Sequence, residues 1–168
     1  MLQPVNDDPA AQESPTARTP RVLFLCTGNS ARSQIAEALL RHLGGDAFDV
    51  FSAGSRPRPA IHPLAREAAN DLFGLDMAGQ HPKGLDEVAG PFDWIISVCD
   101  HAADSCPILP STGSTIRWSL ADPAGAPGGD EEKRCAFRQT ALELHRRIEA
   151  WLASTGVPEG RGSSSRGR

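Results

Sequence analysis

The feature that most restricts the fold is the apolar run Val22-Leu23-Phe24-Leu25, which ends on Cys26 and passes into Thr27-Gly28-Asn29-Ser30-Ala31-Arg32-Ser33. Four consecutive large apolar residues leave no polar face, so as a strand they are buried on both sides, as inside a parallel sheet. Beyond the glycine turn, Ile35, Ala36, Leu39, Leu40 and Leu43 recur at helical spacing as far as Gly44-Gly45. Asp49–Ala53 then predicts a second strand. His62–Phe73 predicts a second helix, with Pro63 suited to its first turn and Gly74 to its stop. Asp93–Val98 predicts a third buried strand and Thr115–Trp118 a fourth. Phe137, Ala141, Leu144, Ile148 and Trp151 mark one face of a closing helix. Strands alternating with helices predict an α/β single domain, a four-stranded parallel sheet with helices on both faces. Ligands of such sheets bind beyond the carboxyl ends of the strands. Cys26 and Cys99 each follow a predicted strand and so share that edge.

The 168 residues suit one domain, and a formal net charge of −4 excludes broad electrostatic binding to nucleic acid or anionic membrane. An anion site must therefore be local. No apolar run approaches the roughly 18 residues of a membrane span. Residues 1–20 carry Asp7, Asp8 and Glu13 without a hydrophobic stretch, unlike a signal peptide, and a cytoplasmic monomer is expected. Residues 1–20 and the Gly, Ser and Arg-rich residues 157–168 are expected to be disordered, which leaves residues 21–153 as the folded domain. Four cysteines in such a protein point to catalytic, redox or metal chemistry before structural disulfides.

The segment from Cys26 to Ser33 has the composition of an anion cradle. Gly28 and Asn29 tolerate positive φ, which lets the backbone amides of Thr27, Gly28, Asn29, Ser30, Ala31, Arg32 and Ser33 converge on a tetrahedral oxyanion at a helix start. Arg32 can grip two oxygens with its planar fork. The same positive field is expected to depress the pKa of Cys26, with Ser30 and Ser33 donating to the thiolate. The Gly-x4-Gly-Lys-Ser/Thr pattern of nucleotide loops is absent.

On these residues, Val22–Glu37 resembles the signature of low-molecular-weight protein tyrosine phosphatases and, most closely, of their thioredoxin-coupled arsenate reductase relatives. The resemblance implies a phosphatase-like fold, Cys26 as nucleophile and Arg32 as oxyanion ligand. Trp118-Ser119-Leu120-Ala121-Asp122-Pro123-Ala124 resembles the family's acid loop, which implies Asp122 as proton donor. Tyrosine phosphatases of the family usually place aromatic residues after this Asp-Pro. Here Ala124-Gly125 follows and the chain has no tyrosine. Ile95-Ile96-Ser97-Val98-Cys99-Asp100-His101-Ala102-Ala103-Asp104-Ser105-Cys106-Pro107 resembles the reductases' redox segment and implies a Cys26–Cys99–Cys106 relay. Its expected reductant is thioredoxin, with glutaredoxin or a small thiol as alternatives. Residues seven apart on a helix stand about 10.5 Å apart along its axis, whereas a disulfide needs Cα atoms within about 7 Å. Local unwinding on oxidation is therefore expected.

Two other readings stand beside the reductase: a phosphatase that uses Cys26 and Asp122 without the redox pair, and a non-enzymatic redox or oxyanion sensor. Zinc on Cys99, His101 and Cys106 lacks paired ligand spacing, so no metal is expected there. Cys135 has no partner motif, and the five histidines are scattered. The family resemblance also implies a potassium site. Asn29, Glu37 and Ser52 match it, but Lys83 stands where an aspartate is expected, and its ammonium could take the ion's place. Simple capping by Glu37 and Ser52 is the alternative.

Overall fold

The computed structural model describes residues 18–99 and 111–157. Among the described residues, strands β1 (Arg21–Cys26), β2 (Asp49–Gly54), β3 (Phe92–Cys99) and β4 (Ser111–Leu120) and helices α1 (Arg32–Gly44), α2 (Pro63–Phe73) and α3 (Asp130–Thr155) run in the order β1-α1-β2-α2-β3-β4-α3, with short 3-10 turns at Gly45–Ala47, Leu85–Glu87 and Pro123–Gly125. The sheet is wholly parallel, in the order β2-β1-β3-β4. Its order reverses direction between β1 and β3, and a crevice opens beyond the strand ends at such a point. Cys26 closes β1 and Cys99 closes β3, so the fold itself brings two thiols to that crevice.

β1 shows why its sequence tolerates nothing polar. Val22 and Phe24 face a core shared with Ile35, Leu39 and Leu40 of α1, Ala65 and Ala69 of α2, and Phe137, Leu144 and Ile148 of α3. Leu23 and Leu25 face the other side, with Ala53, Phe92 and Ile95, under Phe51, Leu85 and Val88. The three described α-helices thus gather on the first face. On the second, the 3-10 turn Leu85–Glu87 is the helical element among the described residues. Aromatic contacts tie the first layer together: Phe24 meets Trp118 at 6.1 Å, and Phe48 meets Trp151 at 5.4 Å between centroids.

β4 spans ten residues where its pattern suggested only Thr115–Trp118. It is an edge strand, and its exposed Ser114, Thr115, Arg117 and Ser119 dilute the apolar signal. His62 does not enter α2 but caps it, Nδ1 accepting from the Leu64 amide at 3.1 Å. Among the described residues no helix is long and apolar enough to cross a membrane. Cys106 and the expected unwinding between Cys99 and Pro110 lie outside the described residues, as do residues 1–17 and 158–168 of the two terminal segments; within the first of these, Arg18 pairs with Asp93 at 2.9 Å.

Candidate active site

Residues 27–31 link β1 to α1, and their conformation is imposed from outside. The carbonyls of Cys26, Thr27, Gly28 and Ser30 accept from the amides of Ser55 (3.3 Å), Arg56 (2.9 Å), Arg58 (2.9 Å) and His62 (2.8 Å). With these carbonyls turned toward the segment after β2, the loop's own N–H groups are left to face the crevice. Asn29 alone takes positive φ, at 46°, and is fully buried. Gly28 does not use that freedom. It is small because the Arg58 side chain lies across it, so that a Cβ there would stand 3.3 Å from Arg58 Cγ. Gly54 is the glycine that close approach requires, since a Cβ would fall 2.5 Å from the Thr27 carbonyl oxygen.

Asn29 is held by a chain of side-chain amides, buried at Gln34 and half-buried at Gln80, that the sequence did not suggest. Gln80 Nε2 donates to Gln34 Oε1 (2.8 Å), Gln34 Nε2 to Asn29 Oδ1 (2.9 Å), and Asn29 Nδ2 to Ser33 Oγ (2.8 Å). With a lone pair so engaged, the Ser33 hydroxyl is oriented to offer its proton to Cys26 Sγ, 2.8 Å away. The Asn29 amide also donates to this sulfur, at 3.1 Å. Ser30 contributes its backbone to the loop, while the expected hydroxyl donation to Cys26 is taken by Asn29 and Ser33.

The expectation of a depressed Cys26 pKa needs correction. Burial pushes the thiol up from its ordinary value and the neighbouring Cys99 adds to the rise, while the Ser33 hydroxyl and the Asn29 and Ser33 amides pull it down. Without an anion, the donors offset the desolvation only in part. Cys99 is buried as well, with Sγ 3.7 Å from Thr27 Oγ1.

Arg32 enters from the first turn of α1. Its Nη1 donates to the Leu120 carbonyl at 2.8 Å and its Nη2 lies 3.8 Å from Asp122 Oδ1. Its Nε is buried with no hydrogen-bond partner among the described residues. A buried orphan donor is costly unless a ligand completes it, and here it accompanies the Cys26 sulfur in one cleft. Asp122 caps the Pro123–Gly125 turn through the Ala124 amide (3.1 Å) and remains half exposed at the cleft mouth. Thr27, Gly28, Ser30, Ala31, Cys99 and Ala124 also line this cleft, whereas Cys135 is exposed on α3.

Asn29, Glu37, Ser52 and Lys83 do come together. Ser52 Oγ donates to Glu37 Oε2, Arg41 Nη2 lies 2.6 Å from Glu37 Oε1, and Lys83 Nζ lies 3.7 Å from Glu37 Oε2. The Lys83 amide donates to Asn29 Oδ1 at 2.8 Å and its ammonium to the His81 carbonyl at 3.1 Å. Glu37 is therefore a buried acceptor with two cationic partners, beyond simple helix capping. These residues do not fit an added cation, because a side-chain ammonium already stands beside the carboxylate.

Mapping Cys26 alkylation by iodoacetamide against pH, in the free protein, tests this balance. The midpoint should lie above the ordinary thiol value and rise further in Ser33→Ala. A midpoint below the ordinary value would show that the donors outweigh burial.

Comparison with known proteins agrees with this arrangement. Residues 21–158 match the family model described as low molecular weight phosphotyrosine protein phosphatase. An arsenate reductase of Halalkalibacterium halodurans is 40% identical over 136 residues, 80% of this chain and 96% of the relative. The thioredoxin-dependent arsenate reductase of Corynebacterium glutamicum superposes with a TM-score of 0.63 at 34% identity, over 82% of this chain and 63% of that one. An arsenate reductase solved in the phosphate binding state gives a TM-score of 0.64 at 28% identity, over 80% and 97%. With a buried cysteine and an orphaned arginine donor at the switch point of a parallel sheet, the chain belongs to the low molecular weight phosphotyrosine protein phosphatase family.

Proposed function

We infer that the chain is an arsenate reductase that uses Cys26, Cys99 and Cys106 in sequence and is regenerated by thioredoxin. The observation that carries this reading is the second thiol: Cys99 stands at the end of the strand beside β1, in the same cleft as Cys26. Hydrolysis of a phosphate ester needs one thiol, whereas reduction of an oxyanion needs two electrons, which two thiols supply. Names among the relatives support the same reading.

The oxyanion sits on the inward amides, with Arg32 turning its free Nε toward one oxygen. Cys26 Sγ attacks arsenic in line with an oxygen that leaves as water. Asp122 at the cleft mouth passes that As–OH oxygen its proton and regains one from the Cys26 thiol, so that the net step, thiol plus HAsO4 dianion, gives a thiol-bound AsO3 dianion and H2O. Cys99 then attacks Cys26 Sγ, and its thiol proton goes to an oxygen of the departing arsenite. The sulfur–arsenic electron pair goes to arsenic, which leaves as arsenite, reduced from As(V) to As(III), while the two sulfurs are oxidised to a disulfide. Thr27 Oγ1, 3.7 Å from Cys99 Sγ, is placed to hold that thiol for the attack. Cys106 attacks Cys99, releases Cys26 as a thiol and leaves a Cys99–Cys106 disulfide for an external dithiol.

Ala124 is the residue that lines the cleft after the Asp-Pro, so the site offers a phosphorylated tyrosine no aromatic wall there. The cleft still contains what hydrolysis of a small aryl phosphate needs, and weak activity of that kind is expected. Arsenate-dependent NADPH oxidation, coupled through thioredoxin and its reductase, tests the function. Wild type should turn over, Cys26→Ser should lose arsenate reduction and aryl phosphate hydrolysis together, and Cys99→Ser should lose only reduction. Parallel loss of both activities in Cys99→Ser would make that cysteine structural.

Potassium has no step in this reading, because Lys83 supplies the charge beside Glu37. Turnover and melting temperature should be the same in potassium chloride and in an equimolar organic cation chloride. Lys83→Met should cost about 1–3 kcal/mol of stability in urea unfolding, through the underpaired buried carboxylate. A potassium requirement in wild type would refute the substitution.

A further inference from the structure

The crevice carries more positive charge than the oxyanion cradle uses. Among the described residues its lining includes Arg32, Arg56 and Arg58 against the single carboxylate of Asp122, in a chain whose formal charge is −4. Arg56 and Arg58 come from Arg56-Pro57-Arg58-Pro59, which follows β2. The two prolines fix their own φ and hold the preceding arginines in extended backbone. The amides of Arg56 and Arg58 are the ones that bind the Thr27 and Gly28 carbonyls. Both guanidinium groups are therefore mounted on the cradle itself, on backbone that is rigid before any ligand arrives. Both side chains are exposed, and neither has an ion pair among the described residues. Arg58 lies across Gly28, at the lip of the loop. His62, on the same wall, adds little charge, because burial first and then the fields of Arg58 and Lys133 hold its imidazole below its ordinary value, against the pull of Asp122.

We propose that Arg56 and Arg58 form an outer anion collar, a positively charged entry that gathers small tetrahedral dianions and delivers them to the Cys26 cradle. Arsenate as the cargo rests on the reading above, whereas the collar itself requires only an anion. It deepens specificity by charge. A compact dianion feels both guanidinium groups as it enters, and a neutral reagent feels neither. A cleft with low-dielectric walls focuses such a field, so an acidic protein can still capture an anion rapidly at one point.

The test compares alkylation of Cys26 by iodoacetate, which is anionic, and by iodoacetamide, which is neutral, with the Cys26 peptide quantified by mass spectrometry in the full chain. The ratio of the two rates cancels any change in the thiol's own ionisation. At low ionic strength the ratio should fall roughly fivefold or more in R56Q/R58Q, and the difference should vanish as salt approaches about 1 M. R56K/R58K should restore the ratio, since it returns the charge without the guanidinium shape. The KM for arsenate should rise at least about tenfold in R56Q/R58Q, with the KM for thioredoxin unmoved. An unchanged ratio in R56Q/R58Q would overturn the collar, and so would failure of the lysine pair to restore it or a shift in the thioredoxin KM instead of the arsenate KM. A fallen ratio in a protein that turns over no arsenate would leave the collar standing and remove the reductase reading.

Discussion

The four backbone hydrogen bonds from Ser55, Arg56, Arg58 and His62 to the carbonyls of residues 26, 27, 28 and 30 are what the rest of the site depends on. A loop of this length, left to itself, has as many acceptors as donors to present to an incoming anion. Engaging its carbonyls from behind leaves the donors in front. The requirement reaches back into β2, because the segment can run close to the loop only where Gly54 omits a side chain. It reaches forward into α2, because His62 both binds the Ser30 carbonyl and caps that helix. The strand order then places Cys99 beside the loop rather than at a distant edge.

Within this frame Cys26 is poised between opposing effects. Burial in the shared core disfavours a thiolate, while the Ser33 hydroxyl and the Asn29 amide favour it. The hydrogen-bonded chain Gln80–Gln34–Asn29–Ser33 fixes the direction of the decisive hydroxyl, so that residues far from the sulfur in sequence help set its reactivity. Arg32 is poised as well. The Leu120 carbonyl and Asp122 hold its outer nitrogens, and its inner donor is kept for the ligand. When an oxyanion enters, the unmet Arg32 donor gains its partner, and that gain is realised only with the ligand in the site.

Much of this was legible in the chain because local pattern and global fold agree. The run Val22–Leu25 can only be doubly buried, and the spacing of Phe137, Ala141, Leu144 and Ile148 can only present one helical face. Cys26, Arg32, Cys99 and Asp122 converge on one cleft, as the strand ends implied. What was not legible is pairwise and remote. Gln34 and Gln80 look like surface residues until a contact across 46 positions joins them, Gln34 fully buried and Gln80 half-buried. Arg56 and Arg58 read as loop charges, because nothing local says that their amides grip the cradle. The full length of β4 escaped because an exposed edge strand has little apolar content to reveal it. Field strength at Cys26 was misjudged for a related reason: a helix start is visible in sequence, whereas the depth of burial opposing it is not.

The claim at the centre is that two electrons pass from the thiols to arsenic and that the resulting oxidation moves through Cys99 to rest as a Cys99–Cys106 disulfide. Single turnover of the fully reduced protein with excess arsenate and no external reductant tests it most directly, with arsenite quantified and thiols mapped by mass spectrometry. About one arsenite per chain should appear, with Cys26 free and Cys99 bonded to Cys106, and Cys106→Ser should halt at a Cys26–Cys99 disulfide. Arsenite release that leaves Cys99 as a free thiol would contradict the relay.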